Sequence, residues 1–389
     1  MENAGGSYAC RQTIDRIHDF YTRTKVQPYG PYPAAKDGGQ QMDDAHTRLA
    51  GLMNVDEDEL HVGPSTSQNT YVLAHAFRAC WSAGDEIIVT DQDHEANSGV
   101  WRRLVDTGIT VKEWRVDPDT GMLDPDELDQ LLSERTQLVA FPHCSNIVGH
   151  INPVADICRI VHGVGAVTVV DGVAAAPHGL PDINALGADV YLFSSYKTYG
   201  PHQGIMVVRR NIGARLPNQS HWFNDEEPHK RLVPAGPDHA QVAACGGVAD
   251  YIDLLHEHHF PDGVDPAERG RRVHDLMRAH EIELLTPLLR YLTGRDDVRV
   301  MGPIDPTIRV PTVSFVPAQS PPEVASRLAS HRVMASSGHF YARRLVEAMG
   351  EASDPGVVRL SFIHYTSHDE VTQVIEALDA VLGRSDPTN

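Results

Sequence analysis

Along the 389-residue chain, apolar and polar positions follow two rhythms. Short β-branched runs appear at DEIIVT (Asp85–Thr90), Val111–Val116, Leu138–Phe141, AVTVVDG (Ala166–Gly172) and Val190–Phe193. They are apolar at nearly every position, which predicts strands covered on both faces, as in a parallel sheet. Helical spacings lie between or before them, at Met42–Met53, Gln68–Ala79, Asp124–Ser133 and Ile157–Val164. Strand and helix in alternation predict an α/β fold with a doubly wound, mostly parallel sheet. Two long helical patterns follow, Asp238–Leu255 and Ala267–Leu289. Strands over Val298–Val316, punctuated by Pro303, Pro306 and Pro311, and a helix over Pro322–His331 then predict a smaller α+β unit. We divide the chain into a large α/β domain, 1–265, and a small C-terminal α+β domain, 266–389. Near the start, Ile14–Thr22 has amphipathic helical spacing, and VQPYGPYP (Val26–Pro33) is too rich in Pro and Gly for a helix.

Composition narrows the class. A formal net charge of -20 disfavours nucleic acid or an anionic membrane surface as a partner. No apolar run has the length of a membrane span, and the first residues show no signal-peptide pattern, so a cytoplasmic location is expected. The five cysteines are scattered without CxxC spacing, which reads as reduced thiols. The histidines form no HExxH-type pair, so no metal is expected. A polar tail, Gly383–Asn389, closes the chain.

The chemistry concentrates at VYLFSSYKTYGPHQGI, Val190–Ile205. Lys197 follows a buried-strand pattern and two serines, among Tyr196, Thr198, Tyr199 and Gly200. Apolar and aromatic neighbours strip water from an amine and ease its deprotonation, as a Schiff-base lysine requires. Taken alone, such a lysine also reads as one whose stem lies along apolar surface with its head in water. Asp171 ends the preceding apolar run, where ligands bind in open α/β sheets. An acid there and a lysine after the next strand supply the pair that pyridoxal phosphate needs, one for its ring nitrogen and one for its aldehyde. Upstream, PSTSQNT (64–70) places small hydroxyls at a helix start, which serves as a cap or as an anion site.

VVDG followed by FSSYKTYGPHQG resembles the class V aminotransferase family, in particular its cysteine-desulfurase-like branch. The resemblance runs from ENAGGS near the start to VVRLSFIHY near the end. It implies a fold-type I, pyridoxal-phosphate-dependent enzyme with a seven-stranded sheet, acting on a small α-amino acid as a homodimer with shared active sites. It further implies that Ser65, Thr66, Ser194 and Tyr196 surround the cofactor phosphate. His94 would stack on the ring, Asn146 (in SNIVG) would reach its phenolic oxygen, and Arg359 would pair with the substrate carboxylate. Tyr29 and Tyr32 would line the active site from a loop often contributed across the dimer interface, and His339 and Tyr341 would shape the substrate pocket.

The chain departs from the family pattern at four places. Ala174 stands where desulfurases carry Gln and related members His, which leaves Asn146 and His178 for the phenolic oxygen. Tyr196 replaces a histidine before the lysine. Pro234-Ala235-Gly236-Pro237 lacks the threonine of a motif that reaches the partner's phosphate. Gly338-His339-Phe340-Tyr341 puts a phenol where desulfurases carry their persulfide-forming cysteine. The expectation is therefore a lyase or aminotransferase, not a cysteine desulfurase; an epimerase and a non-catalytic binding protein on the same fold stay open beside it.

Overall fold

The chain is described by a computed structural model over residues 1–383; the polar tail from 384 onward lies outside the described residues. Seven strands form the main sheet: β1 (Leu60–Gly63), β2 (Glu86–Thr90), β3 (Thr110–Trp114), β4 (Thr136–Pro142), β5 (Val167–Asp171), β6 (Val190–Ser194) and β7 (Gly204–Val208). Their order is β1-β7-β6-β5-β4-β2-β3. The run β3-β2-β4-β5-β6 is parallel, while β7 is antiparallel to both β6 and β1.

The continuous apolar runs have a direct cause. Successive side chains of a strand point to opposite faces. Val170, Tyr191, Phe193, Val139 and Phe141 enter one core, and their neighbours Val169, Val190, Leu192, Leu138 and Ala140 enter the other. Both faces are covered by helices, so the central strands are apolar at nearly every position before their ends. Thr168, buried inside β5, donates its hydroxyl to Asp189 at 3.1 Å, and the edge strand β3 carries Lys112 and Glu113. The polar residues then appear together, at the C-terminal ends of β2, β4, β5 and β6.

A second sheet, entirely antiparallel, has the order β10-β11-β9-β8. Its strands are β8 (Val298–Val300), β9 (Thr312–Pro317), β10 (Ser336–Gly338) and β11 (Val357–Ser361). Val313, Phe315, Val358 and Leu360 pack there on Leu284, Leu288 and Leu292 of the helix Pro266–Thr293 and on Val374 and Leu378 of the helix His368–Leu382.

One helix begins well before its apolar spacing. Met42–Met53 is the second half of a helix over Pro33–Leu52. Pro33 opens it, where a missing N–H costs nothing. The two glycines that hid its first half are there for close packing: a Cβ on Gly39 would come within 2.6 Å of the Tyr29 ring. No helix among the described residues is long and apolar enough to cross a membrane.

Candidate active site

Lys197, Asp171, His94, Asn146, Ser194, Tyr196 and Thr66 line one cleft, together with Ser67, Cys144 and Ala174. Each lies just beyond a strand of the main sheet or at a helix start, so the end of the sheet assembles them. Lys197 closes a short turn after β6. Burial pulls its amine down to about 8; the Arg359 cation adds to this, and Asp171 and Glu2 oppose it.

Asp171 ends β5 and is 7% exposed. Burial raises its carboxyl, while the Val173 N–H and the Lys197 charge act against that. Oδ1 accepts the Val173 N–H at 2.9 Å, its one hydrogen bond among the described residues. The carboxylate therefore keeps acceptor capacity toward the cleft, which suits a protonated pyridine nitrogen.

His94 caps the helix Glu95–Arg102, its Nδ1 accepting the Ala96 N–H at 3.1 Å. That bond places the ring proton on Nε2. Burial, then the cations of Lys197 and Arg359, lower its pKa to about 3, so the ring stays neutral. Tyr341 lies against it, with ring centroids 5.1 Å apart.

Ser65, next to the cleft-lining Thr66 but not itself in the lining, is the N-cap of the helix Thr66–Arg78, its Oγ accepting the Gln68 N–H at 3.2 Å. Thr66 and Ser194 share a hydrogen bond of 2.8 Å between their hydroxyls. Gly204 of β7 makes this possible, because a Cβ there would sit 2.3 Å from the Ser65 carbonyl carbon. Free helix-start N–H groups beside clustered hydroxyls suit a phosphate. The donors, the neutral ring and the acid-lysine pair together fit pyridoxal phosphate.

Arg359 reaches the site from the small sheet, in the middle of β11. It is 4% exposed. Nη1 donates to the Asn146 carbonyl at 3.2 Å, and the Phe340 ring lies 3.8 Å from Cζ. The Asn146 amide donates to the Phe340 carbonyl at 2.9 Å. Asn146 lines the cleft, but this Nδ2 contact is to the protein's own loop.

The segment 338–341 is strained. Phe340 and Tyr341 both have left-handed backbones, with φ of 45° and 61°. It is pinned on both sides: the Tyr341 carbonyl accepts the Glu95 N–H at 2.8 Å, and His339 Nδ1 accepts the Tyr341 N–H at 3.1 Å. So His339 shapes this turn, and Tyr341, 69% exposed, covers His94.

Tyr29 is not brought to the cleft within one chain. Its hydroxyl donates to Asp43 at 2.8 Å, and it lines a separate cavity of about 780 Å³ with Asp43, His229 and the 235–237 turn. The loop is held there by the close fit of the Tyr29 ring on Gly39. Tyr32 is half exposed to solvent.

Sequence patterns did not reveal Glu2, which is ion-paired with Arg359 at 2.8 Å, nor the buried pair His178–Glu281 at 2.9 Å. Their partners lie 357 and 103 positions away, and no local spacing signals them. Away from the cleft, His280, Glu283 and His368 bring three potential ligand atoms within 4.8 Å of one another, with His280 Nε2 3.2 Å from the Thr366 carbonyl.

Comparison with known proteins gives this geometry its class. The family model "Aminotransferase class-V" matches residues 1–220 and 273–374. The chain belongs to the class-V aminotransferase family. An aminotransferase-like protein of Gibberella zeae, FGM3, is 35% identical over 98% of this chain and 94% of its own length. A cysteine desulfurase-like protein of Aspergillus flavus, ustD, is 30% identical over 99% of this chain and 87% of its own. The apo structure of cysteine desulfurase from Thermococcus onnurineus superposes with a TM-score of 0.87 at 22% identity, covering 98% of this chain and 94% of that one. The protein is thus a pyridoxal-phosphate-dependent enzyme of the class-V family, on its cysteine-desulfurase-like branch.

Proposed function

We propose that this enzyme acts on a small α-amino acid without a cysteine nucleophile, as a lyase or aminotransferase and not as an ordinary cysteine desulfurase. The observation that carries this reading is the state of the cleft's one thiol. Cys144 is 2% exposed, its Sγ turned toward the Gly149 carbonyl at 3.2 Å, and burial pushes its pKa up to about 12. A thiol so rarely ionised is a poor nucleophile. Tyr341, at the position where desulfurases carry their cysteine, has an oxygen that cannot hold sulfane sulfur.

Bound pyridoxal phosphate supplies an electron sink for negative charge at the substrate's α-carbon. Ser65, Thr66, Ser194 and Tyr196 would hold its phosphate, Asp171 its ring nitrogen and Asn146 its phenolic oxygen, and His94 would lie against its ring. Arg359 seats the α-carboxylate, bidentate recognition being what a guanidinium does best. Lys197, with its amine near 8, would hold the cofactor's aldehyde and move the proton at the α-carbon. His339 and Tyr341 border the side-chain space. The enzyme works in the cytoplasm as a homodimer, and Tyr29 acts on the partner's site.

The test is product analysis. Holoprotein is incubated with a panel of L-amino acids, and keto acid, pyridoxamine phosphate and sulfide are followed. Keto acid with pyridoxamine phosphate, or keto acid with sulfide from a thiol substrate, is expected. Racemised substrate alone, or no turnover, would overturn the reading.

A further inference from the structure

Residues 1–7 form a strap between the two sheets. The Met1 carbonyl accepts the Ser361 N–H at 2.9 Å, and the Ala4 N–H donates to Ser361 Oγ at 2.9 Å. The Tyr365 hydroxyl donates to Asn3 Oδ1 at 2.7 Å. At the far end, the Ser7 N–H donates to the Tyr196 carbonyl at 3.1 Å, and the Ser7 hydroxyl to the carbonyl of Lys197. Asn3 and Ala4 border a small cavity that Lys197 and Asn146 also line. Glu2 is therefore carried to the edge of the cleft by contacts that do not depend on its own side chain.

There Glu2 Oε1 accepts from Arg359 Nη2 at 2.8 Å. The contact is single. Arg359 Nε and Glu2 Oε2 are both buried, and neither has a hydrogen-bond partner. A carboxylate and a guanidinium can meet through two parallel hydrogen bonds, and here they use one. Two orphaned polar atoms in a buried ion pair are costly, and each stays available to a better-fitting partner. The other side of the guanidinium is already used by the Asn146 carbonyl, and one face by Phe340. The half-used Nε–Nη2 edge is where a second carboxylate can seat with both oxygens.

Resting on the reading of Arg359 as the substrate-carboxylate arginine, we infer that Glu2 is a resident carboxylate on that arginine, which an incoming amino acid displaces. It is a positioning residue: it keeps the guanidinium aimed and its charge balanced while no substrate is bound. A buried guanidinium without any anion would pay a large desolvation cost. Glu2 also sets affinity, because every substrate competes for Nη2 with an anion tethered to the chain. The competition concerns the carboxylate alone, so an amine lacking one is indifferent to it.

The experiment compares wild-type and Glu2→Gln holoprotein by calorimetric titration with L-alanine and, separately, with ethylamine. Borohydride fixation of the cofactor and a melting curve establish that both proteins are loaded and folded. Glu2→Gln is expected to bind L-alanine about tenfold more tightly, the scale of one charge-assisted hydrogen bond no longer contested, with ethylamine unchanged. Were Glu2 only a prop for Arg359, the substitution would weaken L-alanine binding. Equal or weaker L-alanine binding, an equal shift for ethylamine, or no L-alanine binding to the variant would each overturn the inference. If Glu2→Gln does not fold, Glu2→Asp, one methylene shorter, is expected to shift L-alanine in the same direction by less, and no shift would overturn it. Failure of the proposed reaction is read from products and leaves this comparison intact.

Discussion

Tyr341 lies against His94 with an interplanar angle of 33°, and its carbonyl accepts the first N–H of the helix that His94 caps. Side chain and backbone of one strained residue thus hold one histidine from two directions. The left-handed φ of Tyr341 is disfavoured for a residue with a Cβ and persists because these contacts over-determine it.

Removing the phenol should therefore loosen the His94 ring. Tyr341→Ala is expected to weaken pyridoxal phosphate binding several-fold, in line with the ~1 kcal/mol of an aromatic contact. Tyr341→Phe should bind the cofactor like the wild type. Fluorescence titration of apoprotein with the cofactor checks both.

The amine of Lys197 should show its depressed pKa directly. Only the neutral amine attacks an aldehyde, and it is neutral above about 8. Burial and the Arg359 cation disfavour the charged form, so the reactive fraction rises with pH up to that point and then levels. The rate of cofactor attachment to apoprotein is expected to climb from pH 6 to about 8 and reach a plateau, where an ordinary lysine would still be climbing. In Lys197→Ala, borohydride should fix no cofactor to the chain, as peptide mass spectrometry reads out.

Asp171→Asn keeps size and the hydrogen bond from Val173 but removes the charge that, in the proposed role, would hold a proton on the ring nitrogen. The variant is expected to retain bound cofactor while turnover falls on the order of 10²-fold or more. Near-normal turnover would contradict the role given to Asp171.

The sheet was legible because strands buried on both faces are apolar at nearly every position, with few exceptions such as the hydrogen-bonded Thr168. Val167–Asp171 and Val190–Ser194 announce themselves, and the residue that ends each run marks the end of the sheet. Lys197 and Asp171 could be read for the same reason. His94 and Asn146 sit in loops, where local pattern carries no such constraint, and only resemblance to a family singled them out. The first half of the helix Pro33–Leu52 was hidden by Gly38 and Gly39, which serve packing against Tyr29 and Phe20 and lower helix propensity. Glu2 was illegible altogether: its meaning comes from Arg359, which lies 357 positions away on β11.

The central claim, chemistry at Lys197 without a cysteine nucleophile, meets its most direct test in cyanolysis. Holoprotein is incubated with L-cysteine, desalted and assayed for protein-bound sulfane sulfur. Cys144 and Cys245 are buried with thiols pushed to about 12, Cys158 likewise, and Cys10 and Cys80 lie outside the cleft lining. Persulfide is expected at background, the same as in a Lys197→Ala control. Stoichiometric persulfide that depends on Lys197 and maps to any of the five cysteines would contradict the account.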